Sequence, residues 1–302
     1  MIYQRTIKTP VTVTGVGLHS GCRVKLTLRP ALPDQGIVFV RTDLDGMPQV
    51  SCHPFLVNDT RLSTTLVDDN NVRVATIEHL MSAFACMGID NIIVELQASE
   101  IPIMDGSSSS FLYLLDQAGI VEQSVNKKYI KIKQIIEVIE EDKWVRLLPY
   151  DGYKVKMSIC YDHPLFKVEN SSFEVDFARD SYISEISRAR TFAFMYEVEA
   201  IRKNGLGLGG NLNNAIVIDD DENILNKGGL RFRDEFVRHK ILDAIGDLYT
   251  VGHQIIGAFE GYKSGHAINN KLVRKLLNSP DAWEYVTFDN EDHVPDSFHL
   301  AA

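Results

Sequence analysis

The chain has 302 residues, 45% of them hydrophobic, enough to bury a sizeable core in one large domain or two smaller ones. Its 31 Lys and Arg stand against 41 Asp and Glu, a net charge of -10 that argues against a general nucleic-acid binder while leaving room for a local site facing an anionic small ligand. No apolar run approaches the roughly 20 residues needed to cross a bilayer, no signal-peptide pattern opens the chain, and Cys22, Cys52, Cys86 and Cys160 form no C-x-x-C pair, so the expectation is a cytoplasmic protein with reduced thiols and at most peripheral membrane contact.

The first third reads as strands. "CRVKLTLRP" alternates Val24, Leu26 and Leu28 with polar neighbours, "GIVFVRT" follows, and "NIIVELQA" is a short apolar run. Between them "ATIEHLMSAFACMG" sets Ile77, Leu80, Met81 and Phe84 at helical spacing and stops at Gly88. "DGSSSSFLYLLDQAG" predicts a second helix, capped by one of its serines and closed by Gly119. The polar stretch "EQSVNKK" breaks the pattern, and alternating strands resume at "YIKIKQIIEVIEEDKWVRLLP". The domain boundary is expected there, giving residues 1–124 and 125–302. The second half repeats strands then helices, with "DSYISEISRARTFAFMYEVEAIRKNG" and "DEFVRHKILDAIGDLYTVG" as its long helical stretches. Both halves read as α+β, each a sheet with helices on one face.

Several familiar motifs are absent or out of context. "GLGLGG", residues 205–210, matches G-x-G-x-x-G but follows a helical stretch and leads toward the strand "AIVID", so Gly205 is read as a helix C-cap and not as a dinucleotide fingerprint. There is no P-loop, no G-x-S-x-G elbow and no H-E-x-x-H. A metal site would have to be assembled from distant segments. On "FVRHKILDAIGD" His239, Asp243 and Asp247 are one helical turn apart, an arrangement that is usually only the wet side of an amphipathic helix. His239 and Asp243 at i and i+4 can nevertheless supply two ligands to a catalytic zinc, and "TIEHLMSAF" offers His79 as a third, with Glu78 beside it as a base. Val237, Ile241, Ile245 and Leu248 lie opposite His239 and Asp243, so the polar face can point away from its own sheet and meet the helix carrying Glu78 and His79.

"TIEHLMSAF", "SRARTFAF", "FVRHKILDAIGDL" and "YKSGHAINNKL", in this order and separation, resemble the UDP-3-O-acyl-N-acetylglucosamine deacetylases, zinc amidases of lipid A synthesis in Gram-negative bacteria, and the likeness runs from "TGVGLHSG" to "WEYVTF". The resemblance implies two similarly folded α+β domains, each with a small insert, packed helix layer to helix layer. It places His79, His239 and Asp243 on the metal ligands and Glu78 on the general base. His266 falls on the histidine that stabilises the oxyanion and protonates the leaving amine, Thr191 on a hydroxyl holding that oxyanion, Asp247 on the carboxylate orienting the catalytic histidine, and Lys240 on a lysine near the substrate's phosphate side. Leu62 and Ser63 fall on a loop facing the hexosamine ring and the metal. The insert of the second domain would form a tunnel for the 3-O-acyl chain, with Phe192, Met195, Val198, Leu212 and Val217 as candidate linings. Zinc, with iron(II) as a possible substitute, is the implied cofactor. A UDP-linked acylated aminosugar is the implied partner of a chain acting as a monomer. The competing readings are a metal-free acid/base hydrolase using Glu78 and His266, and a nucleotide-sugar binding protein without catalysis.

Overall fold

A computed structural model describes residues 2–161, 163–166, 171–221 and 223–298. Its first sheet has five strands among the described residues, in the order Val11–Val16, Arg23–Pro30, Ile92–Leu96, Ile37–Arg41 and Gln49–Ser51. Alternation puts Val24, Leu26 and Leu28 on the buried face, as the sequence predicts, and hydrophobic burial there anchors the helices above it. Those helices are α1 (Glu78–Met87) and α2 (Ser109–Ala118), which pack on each other. Gly88 ends α1 in the left-handed conformation at φ 61, the stop read from its sequence. Ser108 occupies the N-cap position of α2 without capping it: its hydroxyl bonds Tyr182 Oη at 2.8 Å and the Ser187 carbonyl at 3.2 Å.

The second sheet is built around Gln254–Tyr262, which pairs with Tyr129–Ile132 and Tyr153–Ser158 in parallel and with Lys143–Leu148 antiparallel. The chain thus combines sheets and helices as an α+β protein, as expected. Two local expectations are corrected. The polar stretch 122–128 is not a plain break, because Ile120–Asn126 forms a strand antiparallel to Tyr3–Ile7; Asn91 Nδ2 donates to Gln123 Oε1 at 2.7 Å within this join. Nor is 180–205 one helical stretch. It holds α3 (Tyr182–Glu185), a strand Phe192–Phe194 and α4 (Met195–Lys203). The strand wins because Phe192–Phe194 has a parallel partner in Ile216–Ile218, and β-branched and aromatic residues in both suit a sheet. "AIVID" is accordingly a strand. Gly205 follows the end of α4 at φ 72, within a turn and not at the start of a phosphate-binding helix.

The long helix α5 (Glu235–Leu248) lies between the strand Tyr153–Ser158 and α1, and α6 (His266–Leu277) packs beside it. The α1–α5 crossing is a backbone-to-backbone contact: a Cβ on Gly246 would come within 2.0 Å of the Glu78 carbonyl oxygen. Only glycine lets the two helices approach this closely. The supposed wet stripe is therefore buried, with His239 only 2% exposed and Asp243 and Asp247 3% each. Among the described residues no helix is long and apolar enough to cross a membrane.

Candidate metal centre

Glu78 and His79 open α1 just after Thr76, a β-branched residue held in the left-handed region at φ 58. Such a conformation costs about 1–3 kcal/mol and persists only where neighbours over-determine it. Glu100 does so here. Its buried carboxylate accepts from Thr76 Oγ1 at 3.0 Å and from the backbone amides of His19 and Ser20 at 2.8 and 2.9 Å.

Across the crossing, His239 and Asp243 project from successive turns of α5 toward His79. Asp243 Oδ1 lies 3.4 Å from His79 Nε2 and 3.3 Å from His239 Nε2, and these donor atoms are within 4.8 Å of one another. Asp243 Oδ1 and His79 Nδ1 are buried with no hydrogen-bond partner among the described residues. His239 Nδ1 sits 3.0 Å from the Ala189 carbonyl, which fixes the proton on Nδ1 and leaves the Nε2 lone pair facing Asp243. Burial holds the His239 imidazolium down to a pKa of about 3, so the ring is neutral, as a ligand must be. Asp243 is ionised: burial works against the charge, but the charges around it and Lys240 Nζ at 2.6 Å hold its carboxyl well below the ordinary range. Tetrahedral donors about 2.1 Å from a zinc ion stand about 3.4 Å apart, close to the observed spacing. Two imidazoles and one carboxylate are also the right donor set for a divalent metal. The residues fit the ion.

Beside this trio, Glu78 and His266 face each other with Oε1 and Nε2 4.0 Å apart. Glu78 Oε2 accepts the Thr64 amide at 3.0 Å, and burial raises its pKa. His266 begins α6 and directs Nδ1 at Asp247 Oδ2, 3.0 Å away. Burial alone would depress His266, but Asp247 and Glu78 overcome it and carry its pKa to about 9. Asp247 is itself held by Thr64 Oγ1 at 2.5 Å and Asn269 Nδ2 at 2.8 Å.

The other sequence candidates are spread more widely. Thr191 is half-buried at the start of the strand carrying Phe192, its amide bonded to the Gly106 carbonyl at 2.8 Å, and the Phe192 ring lies 6.4 Å from the His239 ring. Lys240 turns its ammonium to Asp243. Leu62 is 51% exposed at φ 63, whereas Ser63 is buried with its hydroxyl 3.4 Å from Thr65 Oγ1. Phe192, Met195, Val198 and Val217 are half-buried and Leu212 is exposed; none lines the cavity of about 530 Å³ that opens beside His266, which Lys143, Lys263 and Tyr161 help enclose. Sequence reasoning missed Thr64, Asn269 and Glu100. Asn269 was within reach, since it stands one turn after His266 in a quoted motif, but neither Thr64 nor Glu100 carries a local signal.

An α+β frame that buries two imidazoles and a carboxylate next to a second carboxylate–imidazole pair defines a class, the hydrolase with a divalent-metal site. The chain belongs to the UDP-3-O-acyl N-acetylglycosamine deacetylase family, whose model matches residues 4–278. Among its relatives, the UDP-3-O-acyl-N-acetylglucosamine deacetylase of Chromobacterium violaceum is 63% identical over 299 residues, 99% of this chain and 98% of that protein. Proteins of the same name from Neisseria meningitidis serogroup A and Haemophilus influenzae are 61% and 52% identical over 298 residues, covering 98% and 99% of this chain and 97% of each relative.

Proposed function

We propose that the chain hydrolyses the N-acetyl group of a UDP-3-O-(3-hydroxyacyl)-N-acetylglucosamine in lipid A synthesis, releasing acetate, with zinc held by His79, His239 and Asp243. The observation that carries the reading is the orphaned Asp243 Oδ1, a buried anionic oxygen set between two imidazole nitrogens at 3.3 and 3.4 Å. A buried carboxylate oxygen without a partner is costly unless a cation completes it. When bound, such a cation lowers the pKa of water from 15.7 toward about 7 and polarises the acetamide carbonyl.

The chain's own residues supply the proton transfers. Glu78 takes the proton of the attacking water at Oε1 or Oε2, with the Thr64 amide fixing its carboxylate. His266, protonated in the resting site, stabilises the developing oxyanion and donates its Nε2 proton to the leaving amine, while Asp247 holds the ring and its charge. Thr191 adds a hydroxyl to the oxyanion. Lys240 keeps Asp243 ionised and extends positive charge toward a substrate phosphate. The five insert residues Phe192, Met195, Val198, Leu212 and Val217 line the acyl path, and Leu62 and Ser63 face the sugar. Residues 1–124 and 125–302 act as the two units that bring the parts together, in a cytoplasmic monomer.

The test is acetate release from acylated substrate, followed by mass spectrometry, with metal content measured on the same preparation. Activity that vanishes on chelation and returns with near-stoichiometric zinc supports the reading. Full turnover by metal-free protein overturns it.

A further inference from the structure

At the C-terminal ends of α1 and α5 lies a cavity of about 280 Å³ that shares no lining residue with the metal trio, with the Glu78–His266 pair or with the cavity beside His266. Five aromatic side chains, Tyr153, Phe177, Tyr182, Tyr249 and Phe298, form much of its wall. Ala85, Cys86, Met87, Ile183, Ile245, Leu248 and Ile255 are its other apolar residues, and Arg5, Asp116 and Asp180 bring charge to the lining. Tyr182 and Tyr249 commit their hydroxyls to protein partners, Ser82 and Ser108 for one and the Ile89 carbonyl for the other. His253, also in the wall, has a buried Nδ1 with no hydrogen-bond partner among the described residues. An apolar cavity of about 150 Å³ accommodates benzene, so this one has room for one or two fused rings. Ring-lined walls favour an aromatic occupant.

The cavity is built from the same helices as the site. Glu78, Ser82 and Cys86 recur every four residues on one face of α1, with Glu78 at the site and Cys86 in the cavity wall. Ser82 Oγ lies 2.6 Å from the hydroxyl of Tyr182, another wall residue. On α5, Ile245 lines the cavity next to Gly246, whose backbone presses on Glu78 without room for a Cβ. Both helices that carry the site thus end at the cavity, so an occupant that spreads their far ends would move Glu78 relative to His239 and Asp243.

We propose that this cavity is a second ligand site, taking a planar aromatic molecule of one or two fused rings, whose occupancy slows turnover by shifting α1 against α5. The effect on turnover rests on the deacetylase reading above; the binding does not. Indole is the probe, titrated calorimetrically into the full-length, zinc-loaded protein. The expected result is saturable one-to-one binding, weakened by about tenfold or more in Ile183→Trp, which closes the mouth from a rim position 51% exposed, and in Cys86→Phe, which fills the interior. Circular dichroism checks both folds, and the rim variant decides should the interior one not fold. In the acetate assay saturating indole should lower kcat by about threefold or more, with KM unchanged and the calorimetric midpoint. No saturable heat, or binding that survives the rim variant, overturns the site. Binding with kcat unmoved overturns the coupling, and a rise in KM alone shows the probe in the substrate's place instead. Should the wild-type protein release no acetate, the deacetylase reading fails while calorimetry still decides the site.

Discussion

Two clusters of buried charge, both spanning the two halves of the chain, differ in one respect. Lys127 reaches both carboxylate oxygens of Asp90 at 2.7 and 2.8 Å and the Gly88 carbonyl at 2.9 Å, and Asp90 also accepts the Arg5 amide at 2.7 Å. All three ammonium protons have acceptors, and the cluster ties the start of the second half to the end of α1. Around Asp243 one carboxylate oxygen is left without a partner among the described residues. A closed network holds a fold together. An open one, equally buried, is kept for something the chain does not supply.

The sharpest way to break this comparison is to remove the open cluster's ligand set. His79→Gln should leave zinc sub-stoichiometric and acetate release at background, whereas the same protein's urea unfolding transition should barely move from that of metal-free wild type. An unchanged zinc content would take His79 out of the site. In the closed cluster the effect should be on stability: Lys127→Met leaves Asp90 charged and buried without its cation, at a cost of about 3–5 kcal/mol in urea unfolding. A cost under about 1 kcal/mol, the range of exposed pairs, would deny the cluster its structural role.

Glu78→Gln keeps the shape and should keep the zinc, yet lower kcat/KM by about 100-fold or more. The pH profile sharpens the assignment. Glu78 must be ionised to act, and its pKa is raised from 4.5, so activity should rise with pH through a limb above 4.5. His266 must be protonated, so activity should fall as pH passes about 9. In His266→Gln the basic limb should disappear with zinc retained; a limb left in place would mean that another group donates. The smallest effect is expected from Asn269→Ala, which deprives Asp247 of one donor and should cost about 10-fold in kcat/KM with metal content intact.

Much of the frame is legible in the sequence because alternation and helical spacing report which face is buried. Val24, Leu26 and Leu28 are inside, and α1 ends at Gly88, for reasons local to those segments. The misread stretches are those whose structure depends on distant chain. Residues 122–126 are polar enough for a linker but pair with Tyr3–Ile7. Residues 188–194 could continue a helix, but Arg190 is drawn to the buried Glu235, donating from Nε at 2.8 Å, and Thr191 exchanges backbone bonds with Gly106 and Ile216.

For the site, the sequence by itself determined that His239 and Asp243 share one helix face, because 3.6 residues per turn brings i and i+4 together in any α-helix. It also set Glu78 beside His79. It offered His79 as a third ligand from 160 residues away, but the local pattern could not decide how dry the stripe is or that Thr64 and Asn269 converge on Asp247. Those were decided by the α1–α5 crossing, where Gly246 lets one backbone rest on the other, and by the two sheets whose apolar faces press those helices together. Ligand chemistry is a property of residues and their local spacing, but a third ligand and a desolvated pocket exist only once distant surfaces have excluded water between them.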